Sequence, residues 1–363
     1  MWAPNDLSEI ITVFCNIWTY FGLPVYELET TNKSKKQFRN KTSFYFLIVL
    51  SVLLIVAVLY LVFFTARNSL YSYTLLFQYF ILYGQTIGTI IYAQFKKKDL
   101  GKIFNDLLLM EEKIHRFGRK SPDYHTLGKQ LMGFVLFHSF FTLLGLAFDI
   151  YLSLQSGVLQ FYISVYYFAL FVGYHFGFFL LAMPKIIVKL YNDFINSIKD
   201  QRTEIVVKMY ADLYDLVART VSTLQGFMLL KISSTFTVVT MDFFYSTHSL
   251  SIQQIPFDIA VVLAVSNFLL PLTILSLEFA MLYYFHTILE KKKILADFID
   301  HNETGLYKKM DLVCLKLNLE PASFMVCGLF PLNCSLVFSM VAGITTYVIY
   351  LIQFSPKSED LHF

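Results

Sequence analysis

A chain of 363 residues that is 56% hydrophobic and 18% aromatic carries more apolar surface than one soluble core can hide. Its net charge of +3 is too small to argue for a nucleic-acid partner. The four cysteines, Cys15, Cys314, Cys327 and Cys334, show no metal-ligand spacing and fall outside any external loop, so neither a metal, a cofactor nor a disulfide framework is expected.

Residues 1–30 have no basic n-region and no small-residue cleavage site beside an apolar core, so no cleaved signal peptide is expected. The uncharged stretch Ile10 to Tyr26 is broken by Asn16, Gly22 and Pro24. It reads as an interfacial or buried re-entrant piece, with an eighth span as the alternative. Seven long apolar runs follow, at about 44–64, 70–95, 131–153, 158–184, 225–247, 258–285 and 326–354. Each approaches or exceeds the roughly 20 residues that carry a helix across the hydrocarbon. Only helices satisfy their own backbone at that length, so the expected fold is all-α, a seven-transmembrane-helix bundle in a single membrane domain over 1–363.

Of 29 Lys and Arg, 5 lie in residues 1–43, 9 in 96–130, 7 in 185–231 (counting Lys231 at the boundary) and 6 in 285–325. Only Arg67 and Lys357 lie on the other side. The positive-inside rule then places the N-terminus in the cytoplasm and the C-terminus outside, with basic loops facing anionic lipid. The sequons at Asn32, Asn40 and Asn302 are expected to be cytoplasmic and unmodified.

Two cytoplasmic segments, 185–224 and 286–325, are helical in pattern. Ile187, Leu190, Tyr191, Phe194, Ile195 and Ile198 recur at three and four, as do Val206, Met209, Tyr210, Leu213, Leu216 and Val217. These read as the fourth and fifth spans continuing past the membrane, with apolar stripes that must be buried within one subunit or between subunits. Leu306, Met310, Val313 and Leu317 repeat the pattern. Pro321 then interrupts it, so the last element is expected to be two helices joined by a bend.

In the seventh run, Ser335, Ser339, Ala342 or Gly343, Thr346, Tyr350 and Gln353 share one face at helical spacing. A small or polar stripe in an apolar span packs closely on another helix or borders water. The same run holds Thr346-Tyr347, five apolar residues from Val348 to Ile352, and then Gln353-Phe354. Upstream stand Cys327-Gly328-Leu329-Phe330 and Leu332-Asn333. This pattern at the end of a seventh span resembles the closing signature of the insect gustatory receptor family, seven-span chemoreceptor channels related to insect odorant receptors.

The resemblance implies a ligand-gated non-selective cation channel in the plasma membrane of sensory neurons. It would be a homo- or heterotetramer with other gustatory receptor subunits, opened by a small-molecule tastant and anchored between subunits by its cytoplasmic helices. The seventh span would line the pore for permeating cations. Gln353 and Phe354 would stand at the external constriction, with Thr346 and Tyr350 on the same face. A ring of Phe gates by dewetting. The sugar branch of the family commonly has Glu after the Thr-Tyr pair, where this chain has Val348. That favours a bitter-type plant compound. A fructose-type sugar, whose receptors lack the acid, is the alternative.

Five ionisable residues fall inside the other runs: His138, Asp149, His175, Asp242 and Glu278. The histidines read as hydrogen-bonded within the bundle, and Asp149 and Asp242 as reaching headgroups or water. The sharper alternative is an outer pocket in which Asp149 or Asp242 meets a cationic ligand. Tyr73, Phe77, Tyr151, Tyr162, Tyr166, Phe244 and Tyr245 would supply its aromatic faces. Other classes fit less well. The marks of G-protein-coupled receptors are missing, seven spans do not halve into a transporter's repeats, and the scattered ionisable residues form no catalytic cluster, so no enzyme is expected.

Overall fold

The computed structural model describes Pro4 and residues 6–30, 36–41, 45–64, 70–117, 124–155, 161–197, 203–251, 257–301 and 324–353. The described chain is mostly helical. The long helices are α2 (Tyr45–Phe64), α3 (Leu70–Phe95), α4 (Lys97–Phe117), α5 (Tyr124–Gln155), α6 (Phe161–Ser197), α7 (Thr203–Ser251), α8 (Phe257–His301) and α9 (Cys334–Gln353), preceded by α1 (Leu7–Tyr20). Among the described residues, five helical stretches are long and apolar enough to cross a membrane: Tyr124–Ala147, Ala169–Ser197, Ile205–Phe244, Pro271–Lys293 and Cys334–Gln353, with a shorter apolar helix at Phe46–Ile55.

The all-α expectation needs one correction, because two small antiparallel hairpins are present. The first pairs β1 (Val25–Thr30) with β2 (Lys36–Lys41), Val25 opposite Lys41 and Thr30 opposite Lys36. Its residues alternate, so Tyr26 and Phe38 turn inward while charged neighbours face out. Asn105 on α4 completes the edge of β2: its side chain accepts from the Phe38 N–H at 2.6 Å and donates to the Phe38 carbonyl at 3.0 Å. The second hairpin pairs β3 (Met325–Val326) with β4 (Phe330–Pro331). Cys327 and Gly328 between them both have positive φ, as a tight hairpin turn requires. The expected helix over 303–320 and the bend at Pro321 lie outside the described residues.

α1 begins where Asp6 caps it, the Asp6 carboxylate accepting from the Glu9 N–H at 3.0 Å. It ends at Gly22, whose φ of 74° lets the Leu23 N–H reach back to the Trp18 carbonyl at 3.1 Å. A Cβ on Gly22 would also sit 2.9 Å from the Phe46 backbone. Trp18, fully buried, stacks on Phe176 at 5.9 Å and meets Phe179 edge-on at 4.3 Å. The broken segment at 10–26 is therefore a helix and turn packed on α4 and α6.

α6 and α7 are longer than a crossing needs, α7 about 74 Å at 1.5 Å per residue. The inward stripe at Ile187, Leu190, Tyr191 and Phe194 on α6 is buried within this chain, as is that at Val206, Met209, Tyr210, Leu213, Leu216 and Val217 on α7. Ile195 is half-buried, and Ile198 lies outside the described residues. Ion pairs tie α7 to α4: Lys113 to Asp212 at 2.5 Å and Arg219 to Asp106 at 2.7 Å. α6 is the central helix, buried along almost all of its apolar length, whereas α9 is peripheral and mostly exposed.

Candidate functional site

Polar side chains from four helices converge inside the bundle. On α7, Lys231, Ser234, Thr235 and Val238 recur at three and four and so face one way. They line a cavity with Leu82 and Gln85 of α3, Tyr174 of α6 and Ile274 of α8. The cavity is small, with room for about one water molecule.

Lys231, close to the boundary by sequence and counted there with a basic loop, is buried in the bundle. Its ammonium stands 3.7 Å from Glu278 Oε1, the two side chains being 7% and 1% exposed. It also lies 5.6 Å from the centre of the Tyr174 ring. Thr235 donates to Glu278 Oε1 at 3.0 Å, and Glu278 Oε2 is buried with no hydrogen-bond partner among the described residues. Ser234 donates to the Gln85 amide oxygen. Gly177 makes room for the pair: a Cβ there would fall 2.7 Å from Leu277 and 3.2 Å from the Lys231 stem.

The two histidines hydrogen-bond within the bundle. His138 Nδ1 faces the Phe134 carbonyl and Nε2 the Thr273 carbonyl, each at 2.9 Å, with the Ser276 hydroxyl at 3.3 Å. His175 Nδ1 meets the Phe171 carbonyl at 2.8 Å among the rings of Phe21, Phe171 and Phe178.

Of the outer-pocket candidates, Asp242 turns inward, its carboxylate accepting from Gln78 on α3 at 2.7 Å. Phe244 is buried, while Phe77 and Tyr151 are half-exposed on the surface of the bundle. The side chains of Tyr73, Asp149, Tyr162, Tyr166 and Tyr245 lie outside the described residues, as does Phe354.

On α9, Asn333 is the cap. Its side-chain oxygen accepts from the N–H groups of Ser335 at 3.1 Å and Leu336 at 3.3 Å. The helix packs on α7 and α8 with Met340 and Ile344 buried, and the Phe236 ring of α7 would lie 2.9 Å from a Cβ on Gly343. Phe236 also meets Tyr347 edge-on at 5.8 Å. Ser335, Ser339, Ala342, Thr346, Tyr350 and Gln353 are exposed. The polar face therefore includes Ala342 rather than Gly343, and it points away from the chain's own bundle. Thr346 satisfies its hydroxyl on the Ala342 carbonyl at 2.8 Å.

Gln85, Ser234 and Thr235 were not singled out by sequence, since uncharged polar residues are common in packed spans. The available signal was a Lys inside one apolar run and a Glu inside another, because intramembrane charges seek each other.

A family model described as 7tm Chemosensory receptor matches residues 13–358. No curated protein matches the chain in sequence. In three dimensions it is similar to the insect olfactory receptor OR5 from Machilis hrabei, with a TM-score of 0.71 and 14% identity over 96% of this chain and 99% of that one. A second structure of that receptor, in complex with eugenol, matches with the same values. This likeness is one of fold. With the family model spanning nearly the whole chain, the protein belongs to the 7tm chemosensory receptor family of insect gustatory and odorant receptors, and it is a multi-pass membrane protein.

Proposed function

We propose that the chain is a gustatory receptor of the plasma membrane of sensory neurons, working as a ligand-gated non-selective cation channel opened by a small tastant of the bitter plant-compound type. Four subunits place their α9 helices around a central pore. The N-terminus is cytoplasmic and the C-terminus external, which the one-sided distribution of Lys and Arg supports.

The observation that carries this reading is the outward polar face of α9. A helix against lipid is best served by Leu, Ile and Phe, yet the face at Ser335, Ser339, Ala342, Thr346, Tyr350 and Gln353 is small or polar and is left uncovered by the rest of the chain. Packing within one subunit does not account for it. A water-filled path between copies does, with Gln353 and Phe354 at its outer end. The eugenol complex of the similar olfactory receptor supports a small organic ligand.

The test is whole-cell current from this chain expressed alone, with a G-protein blocker present, against sugars and plant secondary compounds. A cation current that survives the blocker is expected. A response that the blocker abolishes overturns the channel reading, and sugars acting alone overturn the bitter assignment.

A further inference from the structure

We propose that Lys185, at the inner end of the membrane-crossing part of α6, holds the phosphate of an anionic phospholipid seated between α5 and α8. The choice of the inner leaflet rests on the topology proposed above, whereas the binding itself does not.

Two lysines are buried among the described residues, Lys231 and Lys185. Lys231 has Glu278 beside it. Lys185 is 5% exposed and has neither a carboxylate nor a hydrogen-bond acceptor among the described residues. Its ammonium stands 5.4 Å from the centre of the Phe134 ring on α5 and 5.3 Å from that of the Tyr284 ring on α8. Two such contacts offset only part of the cost of taking an ammonium out of water, and a ring face gives its three N–H groups no acceptor oxygen. The site therefore calls for an anion that the described chain does not supply.

Depth identifies the anion. Phe134 lies just inside the apolar run that begins at 131, Lys185 directly follows the run that ends at 184, and Tyr284 is next to the end of the run that closes at 285. The three meet where hydrocarbon gives way to headgroups, on the side that the excess of Lys and Arg marks as cytoplasmic. A basic pocket between spans at that level fits a lipid headgroup.

α5 leaves the approach open. Gly133 is exposed, and a Cβ there would meet nothing within 4 Å. One turn towards the cytoplasm on the same face stands Lys129, exposed and without an ion pair among the described residues. In the other direction Leu136, Phe137 and Phe140 are exposed and offer an apolar track to the acyl chains. Charge then separates lipid classes. Lys185 and one phosphate neutralise each other, so the choline of phosphatidylcholine would add a positive charge beside Lys129, whereas a headgroup with net negative charge would meet it favourably.

The full chain, purified and stripped of lipid in detergent, is titrated with phosphatidylserine and with phosphatidylcholine, and retained lipid is counted by native mass spectrometry. The wild type is expected to favour phosphatidylserine at least about tenfold. Lys185→Met keeps the stem, removes the charge and should bring the ratio within about twofold. Gly133→Leu fills the open approach without touching Lys185 and should also lower the ratio. Thermal midpoints give a second readout: phosphatidylserine should raise that of the wild type and not that of Lys185→Met, which in phosphatidylcholine alone should be at least as stable as the wild type because no lone charge is buried. No lipid preference in the wild type, or a full preference in Lys185→Met, overturns the site. A full preference in Gly133→Leu overturns the seat between α5 and α8. Soluble glycerophosphoserine should leave the midpoint unchanged, and a rise equal to that from the lipid overturns a lipid in favour of a free phosphate ester. Detergent exposes both membrane faces, so a reversed topology would change the leaflet and leave these ratios as they are.

Discussion

The Phe236 ring on α7 occupies the space a side chain on Gly343 of α9 would need, an added Cβ falling 2.9 Å from it, and the same ring meets Tyr347 one helical turn further on. Gly343 thus sets how closely the peripheral helix approaches the bundle. Gly343→Ala forces the ring or the helix to move, at a cost of about 1–3 kcal/mol for overpacking. In the channel reading this shifts the resting open fraction, read as agonist-free current. Phe236→Leu combined with Gly343→Ala restores space and should bring that current back towards wild type.

The outer end of α9 makes a separate prediction. In the channel reading, Phe354→Ala is expected to raise the current at rest, because the proposed gate closes by dewetting at an aromatic ring. Gln353→Ala, on the exposed face, is expected to alter conductance or ion selectivity. Single-channel recording checks both. Wild-type resting and evoked currents in both variants would remove these residues from the gate.

Trp18 joins the N-terminal helix to α6 through Phe176 and Phe179. Trp18→Ala should lower stability by about 3–5 kcal/mol, the range for truncating a buried aromatic residue. The indole Nε1 is buried with no hydrogen-bond partner among the described residues, so Trp18→Phe discards an unsatisfied donor along with some packing. It should cost clearly less. Thermal unfolding of the purified protein compares the two.

Glu111 on α4 lies at the start of α1, within 3.4 Å of the Leu7 N–H, with Asp6 and Lys36 nearby. Burial pushes its carboxyl up to about 7 from the ordinary 4.5. The fold therefore prefers the protonated acid. Its contribution is full below about pH 4.5 and is lost as pH rises through about 7, roughly 2–3 kcal/mol in all once partial exposure is allowed for. Hydrogen exchange over residues 7–41 between pH 5 and 8 should show weakening protection as pH rises. Glu111→Gln should flatten that dependence and protect the segment at pH 8.

Sequence alone was sufficient for the long apolar helices that are described, for their family and for the polar face of the last one, because each depends on residues close in the chain; it did not anticipate α4 (Lys97–Phe117), whose charged sequence carries no long apolar run. Apolar run length marks a helix, and the Thr346 to Phe354 pattern is read in one stretch. The Cys327-Gly328 turn and the Asn333 cap likewise use neighbouring residues, and both fall within the upstream part of the family pattern. The β1–β2 hairpin was missed because six-residue strands with mixed charge carry a weak alternation beside long apolar runs.

The interior site was only partly legible. Glu278 stood out as a charge within a span, but Lys231, close to the boundary of its run, was counted with a basic loop. Which residues meet across helices depends on how each helix is turned about its axis. A helix that is apolar nearly all round has no narrow stripe to define that turn. Tertiary packing decided it: small residues such as Gly177 and Gly343 let particular faces approach, which brought Lys231 to Glu278 and Phe236 to α9 and turned the polar face of α9 outward.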